Sequence, residues 1–209
     1  GYALRHPESA VVLVEKDPII ASVWRFILTA QPADVRALPD LPASGQVSDL
    51  ELERRGWPPG AENLIGFWCQ RGGSGPNRRL SAWGRQERYA RQFWGPVARE
   101  RIASQIPAVK HWRLVEGDYT SAPNVRATWF VDPPYASAGS HYRYGSGSLD
   151  FAALAAWCRA RQGQVIVCEN EGATWLPFKP FVHAKANESR TGGKISREAI
   201  WIRSQGRQR

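Results

Sequence analysis

One stretch decides the fold of this chain: Ala127-Thr128-Trp129-Phe130-Val131-Asp132-Pro133-Pro134-Tyr135. Its first five residues are mostly β-branched or aromatic, which predicts a strand. Two prolines then fix φ and remove two N–H donors, so the following turn presents carbonyl oxygens and side chains instead of amide donors. The simpler alternative is a rigid exit from the strand. The position of an acidic residue directly after an apolar strand favours a functional turn.

The rest of the chain alternates strand and helix patterns. Strands are predicted at Val11–Val14, His111–Val115, Ala127–Val131, Gln164–Cys168 and Glu198–Arg203, and helices at Ile19–Leu28, Gln86–Ile106 with an interruption at Pro96, and Leu149–Arg161. Residues 31–61 are proline-rich and predict a connection with one short helix near 48–55. This alternation predicts an open α/β sheet whose ligand site lies at the carboxyl edge of the strands.

Basic residues are concentrated in one part of the sequence. The chain has 209 residues and a net charge of +9. Ten basic residues lie between Arg71 and Arg113 against two acidic ones, and five of the ten tryptophans lie between Trp57 and Trp112. Interleaved cations and aromatic rings are typical of nucleic-acid surfaces, although each tryptophan alone is more often a core residue. The predicted contact residues are Arg71, Arg78, Arg79, Trp83, Arg85, Arg88 and Arg91.

The composition argues against a disordered chain, a collagen-like repeat and a coiled coil. A hydrophobic share of 43% with 22% charged residues is typical of a globular domain. No stretch is apolar enough to cross a membrane. Three cysteines without a CxxC pair indicate a reducing compartment, which we take to be the cytoplasm of a bacterium or a phage host. No Cys/His cluster has metal-ligand spacing, so we expect no metal ion. We also expect a monomer.

The Asp132-Pro133-Pro134-Tyr135 motif resembles that of amino-methyltransferases that use S-adenosylmethionine, in particular the Dam-like DNA adenine-N6 methyltransferases. The resemblance implies a Rossmann-like open sheet. It also implies that Asp132 and the carbonyl of Pro133 accept the two amino hydrogens of a flipped adenine, which localises the nitrogen lone pair. Tyr135 would stack on that base, and such stacking contributes about 1–3 kcal/mol.

The same resemblance assigns cofactor contacts. Glu15, at the end of the first strand, would bind the ribose hydroxyls of S-adenosylmethionine, with Asp17, Pro18 and Ile19 beside its adenine. Asp17 is equally suited to cap the next helix. The Gly117-Asp118-Tyr119 element resembles the family's strand-end motif, in which the aspartate approaches the amino group of the cofactor adenine.

One element of the family is not matched. The family begins with a strand and a Phe-x-Gly-x-Gly loop around the methionine end of the cofactor, and Gly1 resembles the last glycine of that loop. We therefore expect the first strand and most of the loop to be missing from this sequence. Residues 1–30 and 111–209 are predicted to form the catalytic domain, and residues 31–110 an inserted, basic, mostly helical target-recognition segment.

The predicted activity is methyl transfer to the N6 amino group of adenine in double-stranded DNA, with a biological role in restriction-modification or in a phage. A loop that carries His141 and Tyr142 is expected to lie over the flipped base. Two alternatives keep the fold. The acceptor could be an RNA base or the N4 amino group of cytosine, or the protein could be a non-catalytic nucleic-acid-binding derivative.

Overall fold

The computed structural model describes residues 2–42, 44–70, 75–89, 91–185 and 195–204. The chain divides into two compact units, Gly1–Ala122 and Pro123–Arg209. The described residues contain helices and two sheets, a mixed α/β structure, which confirms the α/β class predicted from the sequence. The predicted division into a catalytic domain and a segment at residues 31–110 remains a prediction.

The first unit contains a two-stranded parallel sheet. Strand β1 spans Val12–Glu15 and strand β2 spans Arg113–Glu116. They pair in register from Val12 opposite Arg113 to Glu15 opposite Glu116. Because the strands are parallel, the segments that follow Glu15 and Glu116 begin at the same edge of the sheet.

In the part of this unit that the structure describes, four α-helices surround a core. They are α1 (Pro18–Thr29), α2 (Pro32–Ala37), α3 (Pro59–Phe67) and α4 (Pro96–Val109). Each begins with proline, whose fixed φ suits the first helical position and whose missing N–H has no intrahelical partner there. Val35, Leu52, Ile65 and Ile106 are fully buried in the core between them.

Two predictions for this unit need correction. The helix predicted at Gln86–Ile106 begins only at Pro96, and residues 87–89 form a single 3₁₀ turn. The proline-rich connection contains the helix α2 and two 3₁₀ turns at residues 47–50 and 53–55. Pro32 and Pro96 each begin a helix. The sequence pattern predicts helix breaks at these prolines, because proline disrupts a helix interior but suits its first position.

The second unit contains a four-stranded mixed sheet. Its strands are β3 (Ala127–Val131), β4 (Gly163–Asn170), β5 (Lys179–Lys185) and β6 (Ile195–Arg203), in the spatial order β3-β4-β6-β5. Strands β3 and β4 are parallel, and β6 is antiparallel to both of its neighbours. Strand β6 therefore starts beside the carboxyl end of β4.

Helix α5 (Phe151–Ala160) joins β3 to β4 as a parallel crossover requires. The Asp150 carboxylate caps it by accepting the Ala153 N–H at 2.9 Å. Strand β5 was not predicted from the sequence, and it contains Pro180, which disfavours a central strand. The structure places β5 at an edge of the sheet, where a proline is tolerated. No helix in the described ranges is long and apolar enough to cross a membrane.

Candidate active site and nucleic-acid interface

Glu15 ends strand β1 with a half-buried carboxylate. Its Oε1 atom accepts the backbone N–H of Asp17 at 2.7 Å, which turns the side chain toward the start of α1. Burial raises the pKa of Glu15, the Asp17 N–H opposes that shift, and the Asp17 charge adds to it. A carboxylate has two oxygens with several lone pairs, so one backbone hydrogen bond leaves acceptor capacity for a ligand hydroxyl.

Asp17 caps helix α1. It is 8% exposed, and its Oδ1 atom accepts the N–H of Ile19 at 2.8 Å. Of the two roles considered for Asp17, the structure shows the cap. Pro18 is exposed as the first residue of α1, and Ile19 is partly buried beside it. Their predicted contact with the cofactor adenine remains a prediction.

Asp118 follows β2 at the same sheet edge as Glu15. Gly117 precedes it with φ of 151°, and a Cβ there would lie 2.6 Å from Ser121 Oγ, so this tight exit favours glycine. Asp118 accepts the Thr120 N–H at 3.2 Å and pairs with Lys16 Nζ at 3.0 Å. Tyr119 begins the 3₁₀ turn that follows.

The chemistry of this edge fits part of S-adenosylmethionine. The ribose diol and the adenine amino group of that cofactor are hydrogen-bond donors, and Glu15 and Asp118 are acceptors. Glu15 ends one strand and Asp118 lies two residues beyond the other, and these strands are paired in register at Glu15 and Glu116. These residues would hold the nucleoside end of the cofactor.

The Asp132-Pro133-Pro134-Tyr135 turn follows β3 in the second unit. Val131 pairs with Val167, so the turn begins beside the carboxyl half of β4. The backbone then folds back tightly, with the Gly139 N–H donating to the Tyr135 carbonyl at 2.7 Å. This close return fixes the position of the turn at the strand end, where the sequence had predicted a ligand site.

The turn brings together several acidic groups. Asp132 is open to solvent on one side, yet neighbouring protein desolvates its carboxyl group and raises its pKa. A hydrogen bond from Tyr135 lowers that pKa, whereas the charges of Glu198 and Glu169 raise it. The pKa of Tyr135 itself is raised, first by burial and then by the Asp132 charge. The Tyr135 hydroxyl therefore stays protonated, and its single proton is donated to one of these carboxylates at a time, to Glu198 Oε2 at 2.9 Å in this structure.

Sequence reasoning missed two of these acidic residues. Glu169 is completely buried, on the same face of β4 as Val165 and Val167. A glutamate at an inward position of an apolar strand is the pattern that could have identified it, since buried charges need specific partners. Glu198, opposite Asn170 in the β4–β6 pair, carries no comparable pattern.

The loop after the turn contains two short 3₁₀ segments, at residues 139–141 and 146–148. Tyr142 is 46% exposed on this loop. A Cβ on Gly139 would lie 2.6 Å from the backbone of Pro134, so the loop packs directly against the turn. The position of Tyr142 over a flipped base remains a prediction. Three predicted site positions, Gly1, Arg71 and the side chain of His141, lie outside the described part of the chain.

Most of the predicted basic contact residues are exposed: Arg78, Arg79, Arg88 and Arg91. Arg85 differs from them. Its guanidinium donates to the carbonyls of Pro42 at 2.8 Å and Gly45 at 3.0 Å, and these hydrogen bonds stabilise the loop after α2. This geometry gives Arg85 a structural role, and a further role in binding remains a prediction.

The tryptophans of this segment divide into core and surface. Trp94 is buried and donates its indole N–H to Pro39 at 2.9 Å, and Trp57 and Trp68 pack against the core. Trp83 is 39% exposed. Its ring centroid lies 3.9 Å from that of Tyr89, and the Arg88 guanidinium lies 4.9 Å from the Tyr89 ring. This exposed stack has the composition of a base-binding surface.

No protein-family model matches the chain, and no curated protein is significantly similar to it. Across the described residues there is no group of three or more His, Cys, Asp or Glu side chains arranged to hold a metal ion.

Proposed function

We propose that this protein transfers a methyl group from S-adenosylmethionine to the N6 amino group of a flipped adenine in double-stranded DNA. The observation that supports this proposal most is the arrangement at Asp132. A carboxylate directly after a parallel strand, followed by two prolines and a tyrosine, presents hydrogen-bond acceptors beside an aromatic ring. A Rossmann-like methyltransferase sheet is part of the same proposal.

An adenine amino group needs help to act as a nucleophile, because the ring delocalises its lone pair. In the proposed mechanism, the Asp132 carboxylate accepts one N–H and the Pro133 carbonyl accepts the other. These hydrogen bonds localise the lone pair on nitrogen. When bound, S-adenosylmethionine supplies an electrophilic methyl group on its sulfonium. In the same mechanism, the nitrogen takes the methyl group as the bond from carbon to sulfur breaks, and Asp132 would accept the proton that the nitrogen then loses.

The acceptor must leave the DNA stack to reach such a turn, which costs a few kcal/mol. Tyr135 would stack on the extruded base and offset part of that cost. The exposed arginines and the Trp83–Tyr89 stack would hold the duplex, the arginines by phosphate contacts and the rings by contact with bases. Arginine suits this role because its fork matches phosphate oxygens.

The test measures transfer of a labelled methyl group to unmethylated duplex DNA, followed by identification of the modified base. We expect N6-methyladenine with the wild type and a loss of at least about a hundredfold with Asp132→Ala. Glu53→Ala, an exposed acidic residue in a 3₁₀ turn, is the matched control and should retain the wild-type rate.

Four other outcomes would redirect the proposal. Label in N4-methylcytosine would change the acceptor, and preferential labelling of RNA in a mixture would change the substrate. Tight DNA binding without transfer to any acceptor would indicate a non-catalytic binding protein. Retention of full activity by Asp132→Ala would remove Asp132 from the reaction.

A further inference from the structure

Two carboxylates that the proposed mechanism does not use lie against the acceptor turn. Glu169 is the penultimate residue of β4, and Glu198 lies near the start of the antiparallel strand β6. Glutamates within a sheet are costly to desolvate unless hydrogen bonds compensate them. The partners of both side chains are therefore informative.

Glu198 binds the tyrosine of the turn. The Tyr135 hydroxyl donates to Glu198 Oε2 at 2.9 Å, and the Ser196 hydroxyl donates to Glu198 Oε1 at 2.5 Å. One oxygen of the carboxylate is thus fixed by its own strand and the other holds Tyr135. The bond to Glu198 fixes the position of the Tyr135 hydroxyl, and with it the direction in which the ring extends from the strand end.

Glu169 binds the backbone directly after the tyrosine. Its Oε2 atom accepts the Ala136 N–H at 3.1 Å and the Trp175 indole N–H at 2.9 Å. Its Oε1 atom accepts the Asn170 N–H at 2.8 Å. The side chain is 0% exposed, and these three donors compensate its burial. This carboxylate connects the end of β4 to the segment that leaves the turn.

We infer that Glu198 and Glu169 are positioning residues that fix the acceptor turn, Glu198 through the hydroxyl of Tyr135 and Glu169 through the amide of Ala136. This inference rests on the proposed function, because it assigns both residues a role in presenting Asp132 and Tyr135 to the base. Neither residue touches the reacting atoms in this scheme. Their contribution is to keep the ring and the carboxylate in one geometry, and small displacements of such groups reduce the rate strongly.

The electrostatics make the role of Glu198 measurable. The groups that influence the ionisation of Asp132 are Tyr135, Glu198 and Glu169. The negative charges of Glu198 and Glu169 raise the pKa of Asp132, and the Tyr135 hydrogen bond lowers it. Methyl transfer needs the ionised carboxylate as an acceptor, so the rate should fall at acid pH as Asp132 becomes protonated. Removal of a neighbour should move that acid limb.

The experiment compares kcat, KM and pH profiles of methyl transfer for Tyr135→Phe, Glu198→Gln and the double variant in the full chain. We expect each single variant to lower kcat about tenfold, with KM for cofactor and DNA within about twofold, and the double variant to be no slower than the slower single one. The acid limb should move to lower pH in Glu198→Gln and to higher pH in Tyr135→Phe. A purely structural role would not move the two profiles in opposite directions.

Glu171→Gln is the matched control. Glu171 lies two residues beyond Glu169, and its carboxylate faces His183 at 3.4 Å instead of the turn. It should retain the wild-type kcat and pH profile. For Glu169→Gln, which alters a buried group, we expect faster amide exchange of the 132–138 segment and a lower kcat. If this variant unfolds at the assay temperature, the Tyr135 and Glu198 series decides the inference by itself.

Failure of the inference differs from failure of the proposed function. A wild type that methylates DNA, beside a Glu198→Gln variant with unchanged kcat and pH profile, would overturn the positioning role alone. Additive losses in the double variant would overturn it as well, because they would show that Tyr135 and Glu198 act independently. A wild type that transfers no methyl group to any nucleic acid would overturn both.

Discussion

Lys16 and Asp118 form an ion pair, with 3.0 Å between Nζ and Oδ2, that connects the segments directly after two neighbouring parallel strands. Both side chains are partly exposed, so the pair stabilises the fold only slightly. Its position is more informative than its energy. It holds the carboxylate that would meet the adenine of S-adenosylmethionine at the same sheet edge as Glu15.

We therefore expect Asp118→Asn to weaken binding of S-adenosylmethionine while it lowers the free energy of unfolding only slightly. The free energy of unfolding should fall by less than about 1 kcal/mol, because the ion pair is exposed. Affinity for S-adenosylmethionine should fall about tenfold, because the acceptor becomes a poorer one. Calorimetric titration and a denaturant series check the two quantities. Lys16→Gln should change stability by a similar amount and binding by less than about twofold; equal losses of binding in both variants would contradict a direct contact of Asp118.

Asp132 should reduce the stability of the native protein at neutral pH. Its pKa is raised in the folded state above the ordinary value of 3.8, so the folded chain holds this proton more tightly than the unfolded chain. Stability is therefore lost as pH rises from the ordinary value through the raised one, and the loss persists at pH 7. Asn cannot ionise, so Asp132→Asn avoids this loss.

Thermal unfolding between pH 4 and pH 8 tests this sign. The Asp132→Asn variant should melt about 1–2 °C higher than the wild type at pH 7, a small gain because the side chain is partly solvated. The two melting curves should approach each other at pH 4. If Asp132→Asn is less stable than the wild type at pH 7, the hydrogen bond between the Asp132 carboxylate and Tyr135 outweighs the desolvation of that carboxylate.

How far the sequence predicts this structure depends on the kind of pattern. Strand β3 was predicted with its observed bounds, because four of its five residues are β-branched or aromatic and two prolines follow closely. Strand β5 and helix α2 were missed. Pro180 would interrupt a central strand, but an edge strand tolerates it. Pro32 would break a helix interior, but it suits the first position of a helix. Only the tertiary neighbours distinguish those cases.

The candidate site shows the same limit. Asp132 and Asp118 were found because each lies within two residues of a strand end, which is a local feature of sequence. The hydrogen bond between Tyr135 and Glu198 joins residues 63 positions apart. It depends on β6 returning antiparallel beside β4, and a strand pairing of this kind cannot be obtained from one sequence by local patterns. The sites that depend on topology therefore emerged only with the fold.

Gly60 should be essential for the contact between α1 and α3. A Cβ at this position would lie 2.0 Å from the Ser22 carbonyl oxygen, a backbone atom that cannot move aside cheaply. Gly60→Ala should lower the free energy of unfolding by about 1–3 kcal/mol or more, since the helices must separate. Gly75→Ala is the control, because a Cβ there meets no atom of the described residues within 4 Å. Equal denaturation midpoints for the two variants would show that the helices are not packed this closely.

The exposed cations and rings of the first unit should contribute to DNA binding in different ways. Each phosphate contact releases counterions, so Arg88→Ala and Arg91→Ala should each weaken binding and reduce the slope of log affinity against log salt by about 1. Trp83→Ala should weaken binding by about 1–3 kcal/mol with an unchanged slope, because stacking is not a charge contact. Arg126→Ala, an exposed arginine in the second unit, should leave the slope unchanged.

Arg85 provides the contrast within the same segment. Because its guanidinium is engaged by the carbonyls of Pro42 and Gly45, Arg85→Ala should lower thermal stability and change the salt slope by less than the Arg88 and Arg91 variants. Fluorescence anisotropy with a labelled duplex at several salt concentrations measures all the slopes, and melting curves measure the stability. Slopes that are unchanged in both Arg88→Ala and Arg91→Ala would place the DNA elsewhere on the protein. If Arg85→Ala reduces the salt slope by about 1 and leaves thermal stability unchanged, Arg85 contacts phosphate and its structural role is wrong.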